Sequence, residues 1–128
     1  MRTATFTSNE GDTFMKISAA LRNSGDGWHV IDDGGHEPLG ITIGAVTSTT
    51  LEILFPNALQ VCDVVCGPDE GFAKPPYKAT FGASVGLNRA IIQGTVSGVL
   101  FNPLTWSSAS ANIWVSGWML IAEAPATA

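Results

Sequence analysis

An all-β architecture, a single antiparallel β-sandwich or jelly roll of about eight strands, follows from three features of the sequence. Fourteen glycines and seven prolines punctuate the 128 residues. The segments between them are short and rich in β-branched and aromatic residues, as strands are. One of them, residues 112–121, is apolar on both of its strand faces, the mark of a strand covered on two sides.

Taken along the chain, the first strand is expected at 15–21. The same segment also admits one short N-terminal helix, capped by Asp12 with Phe14, Ile17 and Leu21 on one stripe. The glycine-rich turn Asn23-Ser24-Gly25-Asp26-Gly27 and the following Trp28-His29-Val30-Ile31 favour a hairpin, with a strand at 27–31. Turn residues at 33–35, 48–50, 56–57 and 68–71 then separate strands expected at 41–46, 51–55, 59–66 and 77–85. Strands at 90–93 and 96–101, the turn Asn102-Pro103 and the strand 112–121 complete the order. Residues 1–13 read as an N-terminal arm, 14–122 as the sandwich domain and 123–128 as a C-terminal tail, with no internal repeat or linker.

Composition narrows the function. Charged residues make up only 13% of the chain, about half the usual share. Residues 90–122 hold no Asp, Glu, Lys, Arg or His, yet include Trp106, Trp114 and Trp118. A membrane span does not fit that stretch, because Gly94, Gly98, Pro103, Ser107, Asn112 and Gly117 break the apolar run. An ordinary central strand or a surface covered by another copy both do. On strand 112–121, Ile113, Val115, Met119 and Ile121 share one face and Trp114, Trp118 and Leu120 the other. Trp114, Trp118 and Met119 are accordingly the expected oligomer interface. A net charge of −5 with no basic cluster speaks against nucleic acid. The first ten residues lack an apolar signal core, so secretion by a cleaved signal is not expected.

No residue pattern makes a convincing active site. Gly82-Ala83-Ser84-Val85-Gly86 matches the nucleophile-elbow pattern, but both histidines, His29 and His36, precede Ser84, and no helix is expected after it. His29, Asp32, Asp33, His36 and Glu37 fall within nine positions and could suit a metal or acid/base chemistry. The simpler expectation is a His36 hydrogen bond to the Asp32 or Asp33 carboxylate that holds the loop. Asp69 and Glu70 sit on a turn rather than across a substrate. Cys62 and Cys66, four apart on a strand, lie about 13 Å apart, too far for one disulfide or one metal. Both are expected as buried free thiols; a helix there would revive a metal. No metal, cofactor or catalytic residue is therefore assigned. Trp106, in a polar loop, is the tryptophan expected to be most exposed, with packing favoured over ligand contact and a glycan as the ligand in the second case.

The ordered series Asp33-Gly34-Gly35-His36-Glu37-Pro38-Leu39-Gly40, Pro68-Asp69-Glu70, Gly82-Ala83-Ser84-Val85-Gly86-Leu87, Asn102-Pro103 and Asn112-Ile113-Trp114-Val115-Ser116-Gly117 resembles the small minor tail proteins of actinobacterial phages. The likeness covers about 28–121, and its specificity lies in the order and spacing of short motifs. It implies a β-rich virion structural protein without cofactor or catalytic residues. The expectation that results is a homo-oligomeric minor tail or tail-tip component, such as a trimer, bound to other virion proteins and contacting the host envelope or its glycans. A capsid decoration protein, a monomeric carbohydrate-binding module and, last, a small hydrolase are the alternatives.

Overall fold

The computed structural model describes residues 5–32, 40–68, 79–107 and 111–123. Ten strands form, and no helix occurs among the described residues: β1 Thr5–Thr7, β2 Thr13–Asn23, β3 Trp28–Asp32, β4 Thr42–Val46, β5 Leu51–Leu54, β6 Gln60–Pro68, β7 Thr80–Val85, β8 Arg89–Val96, β9 Val99–Leu100 and β10 Ile113–Ala122. They make two five-stranded antiparallel sheets, one ordered β1-β2-β10-β6 with β3 also on β2, the other β4-β5-β8-β7 with β9 also on β8. The result is a β-sandwich.

Alternation decides what each sheet buries. Ile17, Ala19 and Leu21 of β2 and Ile113, Val115 and Met119 of β10 face Leu51 and Ile53 of β5 and Ala90, Ile92 and Val96 of β8 in one core, joined by Phe55 and Phe101. The residues between them on β2, among them Phe14, Lys16 and Ser18, point away from the core, so period 2 rather than 3.6 governs this segment. The helical option for 12–22 is thereby overturned: β2 is clamped on one side by β10 and on the other by β1 and β3.

Three boundaries differ from the expected ones. The supposed N-terminal arm supplies β1, in register with β2 through Phe6↔Phe14. The break expected between 93 and 96 is absent, because Gly94 continues β8 opposite Phe81; a Cβ there would collide with the Thr80 carbonyl oxygen. The chain instead turns at Ser97 and Gly98, both with positive φ (55° and 79°), between the paired Val96 and Val99, the geometry of a two-residue hairpin loop. Residues 77 and 78 of the expected seventh strand lie outside the described residues.

Cys62 and Cys66 are both free, but only Cys66 is buried. The neighbours Trp118 and Met119 of β10 pair with Asp63 and Val61, which leaves Cys62 as the extra residue of a β-bulge. The bulge shifts the alternation, so two residues expected on one face point to opposite sides. Burial pushes the Cys66 thiol up to about 11. A second irregularity, between Ile43 and Val46, is bridged by a side chain: Glu52 Oε1 accepts the Ala45 N–H at 3.0 Å. That bond, with Arg89 alongside at 3.1 Å, holds the Glu52 carboxyl below its usual range.

Candidate functional site: the outer face of the β10 sheet

The outer face of the first sheet is built in rows across β2, β10 and β6. Register sets Phe14, Leu120 and Gln60 in one row, Lys16, Trp118 and Asp63 in the next, then Ser18, Ser116 and Val65, and last Ala20, Trp114 and Gly67. Trp118 is held from two sides. The Phe6 ring meets it edge-on at 5.0 Å and itself stacks on Phe14 at 4.8 Å. Lys16 places its Nζ 5.4 Å from the indole centre and donates to Ser116 Oγ at 2.8 Å.

Trp114 lies flat over Gly67. A Cβ on that glycine would come within 2.7 Å of the indole carbons, so only glycine lets the ring settle. The indole N–H donates to the Pro68 carbonyl at 3.2 Å, which fixes the ring's orientation. Even so, Trp114 is 41% exposed, and Phe6 and Val65 on the same face are 47% and 55% exposed. Aromatic rings held rigidly yet open to water are the usual anchors of an interface.

Of the three residues expected at an interface, two lie on this face. Met119 does not: it is fully buried in the sandwich core, because it alternates with Trp118 and points to the opposite side of β10. Phe6, Lys16, Asp63 and Val65 belong to the face and were not singled out in the sequence. The alternation of Phe14, Lys16 and Ser18 against Ile17, Ala19 and Leu21 carried part of that signal; the short β1 carried none.

Trp106 is half-buried rather than the most exposed tryptophan, packed on the core and angled against Phe101 at 6.3 Å. Its loop is tied down by Trp28, whose Nε1–H donates to the Pro103 carbonyl at 2.8 Å. With Val96, Val99, Leu100, Asn102 and Thr105, Trp106 lines an open groove of about 350 Å³ at the end of the second sheet. This hollow is separate from the aromatic face.

The remaining candidates are not assembled. His29 Nε2 sits 3.3 Å from the carboxylate of Asp26 in the preceding turn; Asp33, His36, Glu37, Asp69 and Glu70 lie outside the described residues. Ser84 is the exposed penultimate residue of β7, paired with Ile91 of β8. Among the described residues, no group of three or more His, Cys, Asp or Glu side chains is placed to share a metal ion, and no helix is long and apolar enough to cross a membrane.

The chain matches no family of known proteins, no curated protein and no solved structure. The fold and the face thus define it as a β-sandwich with an open aromatic sheet surface.

Proposed function

We propose that this protein is a structural subunit of a phage virion, a homo-oligomeric minor tail or tail-tip component whose copies pack through the aromatic face and whose loops contact the host envelope. One observation carries the proposal: Phe6, Val65 and Trp114 stand exposed together on a single sheet face, where a solvated sheet face would carry polar residues. The order of motifs that resembles phage minor tail proteins supports the virion setting. A capsid decoration protein would use the same face, and its position on the particle tells the two apart.

The test is the mass in solution, by size-exclusion chromatography with light scattering over a range of concentrations, followed by a labelled antibody on purified particles. A closed oligomer and labelled tails are expected. A monomer at every concentration, with unlabelled particles, overturns the proposal. The groove beside Trp106 favours a second reading, a monomeric carbohydrate-binding module. Quenching of indole fluorescence by an oligosaccharide, lost in Trp106→Phe, would establish it in place of the first.

A further inference from the structure

Resting on the self-association just proposed, we infer that the aromatic face is a twofold interface, with a second copy rotated about an axis running along β10 so that Lys16 of each copy meets Asp63 of the other. Lys16 and Asp63 flank Trp118 on the two neighbouring strands. Two strand spacings put their Cα atoms about 10 Å apart, with the Trp118 side chain standing between them. Among the described residues neither has an ion-pair partner; Lys16 contacts Ser116 and the Trp118 ring instead.

Symmetry then selects the axis. Rotation about β10 exchanges the β2 and β6 flanks at the same height along the strand. It lays each cation over the other copy's carboxylate and Trp114 and Trp118 over their own counterparts. An axis across the strands through the same row would set Lys16 against Lys16 and Asp63 against Asp63. That arrangement is repulsive, so charge favours the first.

Shape agrees with charge. The β1–β2 flank carries the stacked rings of Phe6 and Phe14, and the β6 flank carries the smaller Asp63, Val65 and Gly67. Rotation about β10 sets bulk against the lower flank. Extent is also sufficient: β10 has 10 residues, and at about 3.4 Å per residue over four strands spaced about 4.8 Å the face spans about 650 Å² in projection, close to the roughly 800 Å² that each partner of a stable complex buries.

The experiment uses the full chain with Lys16→Glu and Asp63→Lys, made separately and then mixed. Each variant alone brings like charges together twice per dimer and is expected to raise the dimer dissociation constant about 100-fold or more. The equimolar mixture restores both opposite-charge contacts, so native mass spectrometry is expected to show the heterodimer. Ser84→Glu, on the exposed face of β7 in the other sheet, is the control for charge alone and should leave the dimer intact. A wild-type dimer whose mixed variants stay monomeric overturns the axis while leaving self-association standing. A wild-type trimer does the same. A wild-type monomer at every concentration removes the self-association itself. Should either variant fail to fold, the wild-type dimer still decides: its dissociation constant is expected to rise from low to high ionic strength, and a dimer indifferent to salt overturns the charge pairing.

Discussion

Gly117 sits in the middle of β10, and replacing it with alanine tests the packing of the central strand. A Cβ at this position would collide with the Asp63 carbonyl oxygen and lie 2.9 Å from the Asp63 carbonyl carbon and 3.1 Å from the Val64 Cα. Carbon atoms in comfortable contact are about 3.5–4.0 Å apart, and every atom met here is backbone. No side chain can swing away, so β6 must move outward beside its bulge. Overpacking of this kind costs about 1–3 kcal/mol, and each ladder hydrogen bond loosened between Gly117 and Val64 or their neighbours adds about 0.5–1.5 kcal/mol. A total of about 3 kcal/mol lowers the melting temperature of a 128-residue domain by about 10 °C. Gly82→Ala is the matched control, because nothing lies within 4 Å of its Cβ position; the methyl should be neutral or stabilise by about 0.5 kcal/mol. Thermal unfolding followed by circular dichroism, at one protein concentration because association shifts stability, gives both numbers. Melting temperatures for the two variants within about 2 °C of each other would refute the close approach of β6 to β10.

Iodoacetamide should label Cys62 in the native protein and Cys66 only after unfolding, read as one adduct against two by mass spectrometry; two native adducts would contradict the bulge. Burial raises the Cys66 thiol from 9.0 to about 11. The stability gained from keeping it neutral is therefore complete below about 9 and lost as pH rises towards about 11, a fall of about 2–3 kcal/mol that Cys66→Val should abolish in urea unfolding. Trp28→Phe deprives the buried Pro103 carbonyl of its donor, with a cost of about 1–2 kcal/mol and faster amide exchange over residues 101–106; unchanged exchange would show that this bond does not anchor the loop. Ser97→Asn supplies a residue better suited to φ 55° before Gly98 and should stabilise by about 0.5 kcal/mol, whereas a lower urea midpoint would contradict the hairpin turn.

The strand pattern was legible where short apolar runs stand between turn residues. Residues 15–21 and 51–55 form β2 and, except for Phe55, β5, while 112–121, apolar on both faces, forms β10 from Ile113 onward. Legibility fails where backbone geometry breaks the period. Nothing in Val61-Cys62-Asp63 announces a bulge, since it exists only because Trp118 and Met119 pair around Cys62. Gly94 reads as a breaker but serves as a close-contact residue beneath β7, while Gly82 faces open space. Trp106 sits in a polar sequence, and its half-burial comes from packing on the core beside Phe101, in a loop that Trp28 ties down across 75 positions. For the site, strand alternation already separated Trp114 and Trp118 from Met119. What it could not supply is which side of β10 meets the second sheet, and hence which of these residues reach water.

The bareness of residues 90–122 has two separate causes on the two faces of β10. Ile113, Val115 and Met119 lack charge because they fill the core, where an unpaired charge is costly. Trp114 and Trp118 face outward, and there charge returns from the neighbouring strands through Lys16 and Asp63. The face therefore has an aromatic centre with opposite charges at its flanks. In such an arrangement the rings supply affinity and the charges choose the orientation. This division also decides which residues can test the interface. Trp118 supports Phe6 and the Lys16 side chain within its own copy, so replacing it disturbs the sheet before any second copy is met. Asp63 supports no ring and holds no cation among the described residues. Reversing the Asp63 charge therefore separates association from folding in a way that no substitution of the tryptophans can, while Lys16→Glu, which also gives up the bond to Ser116, serves as its complement in the mixture.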